Sequence, residues 1–407
     1  MNKKNFIRIA SGIFLVKLAL ALLPSFQVDM GAWLAWAYRL ISVGPAHFYS
    51  DAVWTQYTPG YLYWLWLIGK LGWVDPLAIK ITSIMADMLT GYLIWKIVGK
   101  VNVKLAGFSA LFYVLNPVVL MDGSIWGQID GILTLAMLYS TYLLIEKRQL
   151  TAGWAVYGIA LLLKPQAVAI LPIMLLLSWV RFSLKKTMLA GGIGLLVLTA
   201  GFWPFFPNNP IGGMIELVGK MGISYPYTSL YAFNLWGYIG MWKLDSTSWM
   251  GISYFGWGVG LTILAYLGVL FRYRNKLSNG PEIYLCLALA CWIFYLFPTR
   301  VHERYLFPMF AYLITYAGLK HTKQLFIITM LATMIYLLNL YLPYSAFESL
   351  ANPLKNIVME KAIENLIPGL TLLYYGLFVW LWLSPGREKS KHTIPINLRN
   401  GKTVEER

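Results

Sequence analysis

The chain has 407 residues, of which 58% are hydrophobic and only 12% charged, and its mean hydropathy is +0.61. This composition is typical of a polytopic membrane protein and excludes one or two ordinary soluble domains. A net charge of +16 would suit a nucleic-acid-binding protein, but the Lys and Arg residues form short clusters between apolar runs, as cytoplasmic loops do. We therefore expect an all-α membrane protein that binds no nucleic acid.

Twelve apolar runs predict about twelve transmembrane helices, because a span needs roughly 20 residues and broken helices that line a cavity can be shorter. The runs lie near residues 6–24, 78–97, 105–121, 130–146, 151–164, 166–180, 187–204, 252–271, 282–297, 305–319, 324–343 and 368–384. No small-residue cleavage site follows the first run, which therefore reads as an uncleaved helix rather than a signal peptide.

Basic clusters in every second connection predict the orientation of these helices. Both termini are expected to be cytoplasmic, in the cytoplasmic (inner) membrane, with long outer connections at 25–77, 205–251 and 344–367. The first outer connection contains two more apolar segments rich in Trp and Tyr, at 30–43 and 58–73, which we expect to be interfacial helices. One transmembrane domain at 1–385 and a basic cytoplasmic tail at 386–407 account for the chain.

Acidic residues are few. Six of them are predicted on or near the outer face: Asp29, Asp51, Asp122, Asp130, Asp245 and Glu303. Arg300, His302 and Arg304 surround Glu303 at the end of an apolar run. Three potential cations at a bilayer edge are costly unless an anion is held there. A lipid phosphate is the simplest anion to propose.

Other polar residues interrupt the apolar runs themselves. Lys164 and Gln166 stand between two short runs, which indicates broken helices whose ends meet a cavity. Lys17 and Asp87 fall inside predicted spans, where an isolated charge is expensive. We expect them to pair with each other, with Lys80 as the alternative partner of Asp87.

The order of several short phrases resembles the GT-C superfamily of membrane glycosyltransferases. The phrases are Asp29, Gln-Tyr-Thr-Pro-Gly-Tyr-Leu-Tyr at 56–63, Asn-Pro at 116–117, Trp-Gly-Gln-Ile-Asp at 126–130, Leu-Lys-Pro-Gln at 163–166, Ala-Phe-Asn-Leu-Trp at 232–236 and Val-His-Glu-Arg-Tyr at 301–305. Over residues 5–345 the chain is most similar to prokaryotic integral membrane mannosyltransferases related to the second mannosyltransferase of GPI-anchor synthesis. It is more distantly similar to endoplasmic-reticulum glucosyltransferases that use dolichyl-phosphate glucose.

This resemblance implies a GT-C-like catalytic domain and an inverting transfer of a hexose, mannose or glucose, from a polyprenyl-phosphate sugar on the outer membrane face. The acceptor would be a lipid-linked glycan, a glycolipid or a protein. The family's catalytic acid, in the first outer loop, maps onto Asp29. Many members carry two nearly adjacent acids there, whereas this chain has none between Asp29 and Asp51. We therefore assign no metal ligand, and a divalent cation stays open as a cofactor.

The transfer reaction requires one carboxylate and several cationic side chains, and both types are present in these phrases. An acceptor hydroxyl needs one carboxylate as general base, whereas a phosphate leaving group needs cations and no proton donor. An Arg side chain can grip phosphate in a bidentate fork. We predict Asp29 as the base and Arg300, His302 and Arg304 as ligands of the donor phosphate. Further substrate-binding candidates are Asp51, Trp126, Gln128, Asp130, Lys164, Gln166 and Glu303.

Each assignment has a structural alternative. Asp29 could cap an interfacial helix that begins one residue later, and Asp130 could favour the positive end of its helix. The two arginines of the 297–308 segment could reach lipid headgroups, and His302 could pair with Glu303 or cap a helix.

Two other functional classes remain open at this point. A transporter or a flippase for lipid-linked sugars uses the same kind of helical bundle, but would favour ionisable groups near the midplane and repeated halves. A non-catalytic scaffold would leave the clustered carboxylates and cations without a purpose.

Overall fold

The computed structural model describes residues 3–50, 53, 55, 57–276, 280–347 and 349–384. The α-helices in this part of the chain are α1 (Lys3–Leu20), α2 (Gln27–Val43), α3 (Pro59–Lys70), α4 (Pro76–Val98), α5 (Val103–Val114), α6 (Pro117–Val119), α7 (Asp130–Ile145), α8 (Leu150–Leu163), α9 (Leu171–Phe182), α10 (Leu184–Phe202), α11 (Pro210–Ile223), α12 (Leu235–Ile239), α13 (Tyr254–Tyr273), α14 (Glu282–Leu296), α15 (Pro308–Lys320), α16 (Lys323–Phe347) and α17 (Ile357–Leu383). The strands are β1 (Ser229–Leu230), β2 (Ser248–Trp249), β3 (Ile252–Ser253) and β4 (Val301–His302). Short 3₁₀ turns lie at Pro45–His47, Pro165–Ile170 and Trp203–Phe205, and a π-helical turn at Leu120–Trp126. The candidate Asp51 and the tail at 386–407 lie outside the described residues.

The prediction of an all-α, multi-pass membrane protein is confirmed. Every one of the twelve predicted apolar runs coincides with a helix, and the two extra segments of the first long connection form α2 and α3. Among the described residues six helices are long and apolar enough to cross a membrane, or seven if the bent pair formed by α5 and the 117–126 segment counts as one span. Three further apolar helices, α7, α8 and α14, are shorter. The number of twelve spans therefore stays a prediction.

Helices α14 and α15 form the centre of the bundle. They pack against each other, and α15 also contacts α4, α5, α7 and α16. Nearly every side chain of α14 from residue 283 to 296 is buried. In contrast, α10 and α13 expose large apolar side chains such as Leu196 and Leu264. Such outward apolar faces are what a bundle surrounded by lipid requires, since lipid rather than water is the solvent there.

The helices next to the predicted site end or break at proline and glycine. The Asn116 side chain accepts a hydrogen bond from the Val118 amide at 3.0 Å, and Pro117 then starts the bent segment that runs into the π-helical turn. Pro165 follows the last turn of α8, and Pro308 opens α15. Because proline cannot continue a helix through its own amide, these positions bring irregular backbone to one region.

A loop at residues 224–245 is fastened to the segment between α14 and α15. Strands β1 and β4 pair in parallel, with Leu230 opposite His302. The amide of Arg300 donates to the carbonyl of Tyr227 at 3.0 Å, and the amide of Glu303 donates to the carbonyl of Leu230 at 3.2 Å. The 224–245 loop is therefore held in a fixed register over the predicted cation cluster.

Candidate active site

Asp29 lies in the first turn of α2 and does not cap it, because the helix begins at Gln27 and its N-cap position is Phe26. One carboxylate oxygen, Oδ2, accepts a hydrogen bond from Trp126 Nε1 at 2.8 Å and another from Gln128 Nε2. The other oxygen, Oδ1, accepts none from the described residues, and the side chain is 19% exposed. The N-cap alternative is therefore wrong: one oxygen is held in place, and the other accepts no hydrogen bond from the described residues.

The two donors to Asp29 are brought to the same side by the end of the π-helical turn. Gly127 stands between Trp126 and Gln128 with φ 92°, a conformation that suits glycine. A Cβ at this position would also come within 2.7 Å of Met30 Cε. Gln128 is oriented from its other end, since the Tyr57 hydroxyl donates to its Oε1 at 3.3 Å. Such π-helical turns are frequent at functional sites.

Arg304 brings a guanidinium to Asp29. Its NH1 lies 3.8 Å from Asp29 Oδ2 and donates to Glu303 Oε1 at 2.7 Å. Its Nε is buried and has no hydrogen-bond partner among the described residues. A buried N–H without a partner is costly, so this edge of the guanidinium is suited to an added anionic ligand.

The titration of the three charged groups in this segment follows from their contacts. Burial alone would raise the pKa of Glu303. Arg304 and then His302 have the opposite and larger effect, so the pKa falls below its ordinary value of 4.5, to about 2. The pKa of Arg304 is raised despite its burial, because Asp29 and Glu303 are adjacent. Burial lowers the pKa of His302 below its usual value, although Glu303 opposes this shift across 3.7 Å. At neutral pH the segment therefore combines an ionised carboxylate, a guanidinium and a neutral imidazole.

A second ion pair borders the same cluster. Lys164 Nζ lies 2.7 Å from Asp130 Oδ1, and its ammonium is 5.7 Å from the ring centre of Tyr57 and 5.8 Å from that of Tyr305. Gln166 Nε2 donates to the Tyr305 carbonyl at 2.8 Å. The unwound residues after α8 therefore contact the segment between α14 and α15.

Arg300 faces a different partner from Arg304. Its Nε and NH2 donate to the two oxygens of Asp245 at 2.6 and 3.1 Å, and its NH1 donates to the carbonyl of Gly222. Thr299 Oγ1 also donates to Asp245, at 2.9 Å. The N–H groups of Arg300 thus donate to Asp245 in the 224–245 loop and to Gly222 just before it. These contacts do not favour a direct role of Arg300 in phosphate binding.

Most of the predicted site residues converge, with Arg300 held in a neighbouring ion pair. The convergent ones are Asp29, Trp126, Gln128, Asp130, Lys164, Gln166, His302, Glu303 and Arg304. Tyr57 joins them but was missed as a site residue, although it belongs to the 56–63 phrase. Within the described residues no group of three His, Cys, Asp or Glu side chains could hold a metal ion.

Comparisons with known proteins bear on the family and on the fold. Residues 56–206 match the family model for dolichyl-phosphate-mannose-protein mannosyltransferases. The fold is similar to that of ArnT from Cupriavidus metallidurans bound to undecaprenyl phosphate, with a TM-score of 0.55 and 15% identity over 93% of this chain and 75% of that chain. The apo state of the same protein gives a TM-score of 0.54, with the same identity and coverage. No curated protein sequence matches the chain.

The family match includes Trp126, Gln128, Asp130, Lys164 and Gln166, and the fold comparison extends over nearly the whole chain. The resemblance of this multi-pass membrane protein to the GT-C superfamily of glycosyltransferases is therefore confirmed.

Proposed function

We propose that the protein is an inverting glycosyltransferase that moves a hexose, mannose or glucose, from a polyprenyl-phosphate sugar to an acceptor on the outer membrane face. The observation that carries this proposal is the approach of a carboxylate and a guanidinium, Asp29 Oδ2 and Arg304 NH1, to 3.8 Å of each other. Transfer from a sugar phosphate needs a base for the acceptor hydroxyl that attacks the sugar and a cation for the anionic leaving group. A carboxylate and a guanidinium must therefore lie within one site.

Asp29 is the proposed general base. Trp126 and Gln128 hold Oδ2, so Oδ1 is the oxygen that takes the proton from the acceptor hydroxyl. The acceptor oxygen forms a bond to the anomeric carbon from the face opposite the phosphate. The bond from that carbon to the phosphate oxygen breaks at the same time and its electron pair leaves with the phosphate, which inverts the configuration.

Arg304 is the proposed ligand of the donor phosphate. Glu303 occupies NH1 and leaves the buried Nε without a protein partner, and this edge is the one that can grip phosphate oxygens. Preorganised positive charge stabilises the leaving phosphate as the bond breaks. Lys164, already paired with Asp130, is a second cation close enough to contribute to the same pocket.

Arg300 receives a revised role in this proposal. Its two-pronged contact with Asp245 makes it a positioning residue for the 224–245 loop. His302 and Glu303 fix Arg304 rather than the phosphate itself. Loss of Arg304 should therefore weaken donor binding more than loss of Arg300 does.

The test is transfer from radiolabelled polyprenyl-phosphate mannose or glucose by the full chain in lipid, with a total membrane glycolipid extract as acceptor. Asp29→Asn should lower transfer about 10²- to 10⁴-fold while donor binding is kept, because only the proton acceptor is lost. The matched control is Glu216→Gln, an exposed carboxylate whose ion partner is Lys220, and it should transfer normally.

The outcomes separate the competing functions. Unchanged transfer by Asp29→Asn would remove this residue as the base. Donor binding or movement across the bilayer without any transfer by the wild-type protein would instead favour a transporter or flippase. Absence of donor binding with both sugars would overturn the proposal.

A further inference from the structure

The 224–245 loop presents an aromatic cluster made of Tyr225, Tyr227, Tyr231 and Trp242. The Trp242 ring lies 6.4, 5.5 and 5.5 Å from the ring centres of Tyr225, Tyr227 and Tyr231. Although it has three aromatic neighbours, the Trp242 side chain remains 41% exposed. A partly exposed indole that aromatic neighbours hold in place can serve as a platform for a ring-shaped ligand.

The backbone at Trp242 is held in an unusual conformation. Its φ is 59°, which is uncommon for a bulky residue, and its amide donates to the Ser229 carbonyl at 3.0 Å. Tyr231, in the same loop, and Arg300, in the segment between α14 and α15, also have positive φ, at 65° and 63°. Strained residues of this kind persist only where the surrounding structure enforces them, and they concentrate at binding and catalytic sites.

The aromatic cluster is continuous with the proposed catalytic site. Tyr225 contacts the His302 ring edge-on at 5.4 Å, and His302 adjoins Glu303 and Arg304. Tyr225 also lies within electrostatic range of Arg304 and Asp29. A molecule that rests on Trp242 and Tyr225 would therefore lie beside the segment that carries His302 and Arg304.

The chemistry of this juxtaposition fits a saccharide better than a lipid chain. A sugar ring has an apolar C–H face that packs on an aromatic ring and a hydroxyl edge that seeks polar groups, and both partners are present here. Lipid tails need no charged neighbours. Trp249, in the β2–β3 hairpin, offers the comparison, since it is 56% exposed and packs on Trp257 of α13 at 5.6 Å. Among the described residues, its ring and hydrogen-bond contacts do not include the charged cluster.

We propose that Trp242 and Tyr225 form a saccharide subsite for the acceptor, which would thus carry a sugar ring that stacks on Trp242 with one hydroxyl directed to Asp29. This inference rests on the proposed function, because it names the class of molecule that Asp29 deprotonates. It excludes a bare protein hydroxyl as the preferred acceptor.

Binding of soluble sugars to the full chain in lipid nanodiscs tests the subsite without any transfer. Saturation-transfer NMR would compare mannobiose and cellobiose with mannitol, a linear polyol that has hydroxyls but no ring face. We expect ring C–H signals for at least one disaccharide and none for mannitol. Trp242→Ala should weaken that binding about tenfold, and Trp249→Ala, the matched control, should not change it.

Three results would overturn the subsite. They are no binding of either disaccharide, equal binding of mannitol, or equal effects of Trp242→Ala and Trp249→Ala. Tyr225→Phe should keep the stacking signal, and Tyr225→Ala should reduce it, which guards against a Trp242 variant that fails to fold. Because no donor is present, failure here leaves the transfer test untouched, and failure of transfer leaves this binding result standing.

Discussion

At the scale of single residues, Glu303 is an ion partner of Arg304. Its Oε1 accepts a hydrogen bond from Arg304 NH1 at 2.7 Å, and its side chain is almost fully buried. A buried carboxylate stays ionised only when a cation repays its lost hydration, and here Arg304 does so. The Nε of Arg304 is buried and has no hydrogen-bond partner among the described residues.

Replacement of Glu303 by Gln should lower stability in a pH-dependent way. The carboxyl has a pKa of about 2 in the folded chain, against an ordinary value of 4.5, so the unfolded chain binds its proton first as the pH falls. The stabilising contribution is therefore present above pH 4.5 and is lost toward pH 2. We expect the Tm of Glu303→Gln in detergent to be lower than that of the wild type by on the order of 5 °C at pH 7.5 and 5.5.

The difference in Tm should shrink at pH 3.5, where the unfolded carboxyl is already protonated. Glu364→Gln, which changes an exposed carboxylate, serves as the control and should melt with the wild type at each pH. A Glu303→Gln difference that stays constant from pH 7.5 to 3.5 would contradict the assignment of this carboxylate to Arg304.

At the scale of elements, the 224–245 loop is positioned by one ion pair and by the short pairing of β1 with β4. Asp245 is 1% exposed and receives both prongs of Arg300 as well as the Thr299 hydroxyl. The parallel pairing of β1 with β4 sets the register of the same loop. Arg300 thus acts on the site through the loop, and its effect should appear on the acceptor side.

Arg300→Gln and Asp245→Asn should each raise the acceptor KM several-fold and change donor affinity by less than about threefold, because Arg304 is left in place. Each should cost about 2–3 kcal/mol of stability, since a mostly buried charge loses its partner. The double variant should be no worse than the more damaging single one, since both remove one interaction. Full additivity, or a donor-affinity loss as large as that of Arg304→Gln, would contradict this role.

Much of this arrangement follows from the sequence, and the parts that do not follow have a physical reason. Apolar run length predicts the helices, and proline after Lys164 predicts the helix break beside which this buried residue pairs with Asp130. The partner of Arg300 is not predictable in this way, because Asp245 is 55 residues distant in the chain and only tertiary packing brings them together. Likewise, Gln128 looks like a substrate ligand in sequence, but its amide is used to hold Asp29.

At the scale of the whole molecule, the first helix is fastened to the bundle by its last turn and by the residues that follow it. Lys17 Nζ lies 2.8 Å from Asp87 Oδ2, so the expected mutual pair is confirmed. Lys80 donates to the carbonyls of Ala21 and Leu23, each at 2.9 Å, and Tyr344 donates to the Pro24 carbonyl at 2.6 Å. These contacts fix the chain just before Asp29, so the position of the proposed base depends on the docking of α1.

The pocket around Asp87 also links α1 to the segments that carry the site. A Cβ at Gly131 would lie 2.5 Å from Asp87 Oδ1, so the carboxylate packs directly against the start of α7. Gly123, in the π-helical turn, approaches the other oxygen in the same way, at 2.8 Å. Movement of Asp87 would therefore be transmitted to both ends of the segment that contains Trp126 and Gln128.

Lys17→Met alone should destabilise the protein by about 3–5 kcal/mol, because both members of this pair are fully buried and Asp87 would lose its counter-ion. The double variant Lys17→Met with Asp87→Val should recover most of that loss, since a buried pair exchanged for apolar groups of similar volume is often neutral. The measurement is Tm in detergent together with donor binding. Equal damage by the single and double variants would mean that the pair serves more than docking. In that case the charge itself would be required by the site, and transfer should fall in the double variant even where the fold is retained.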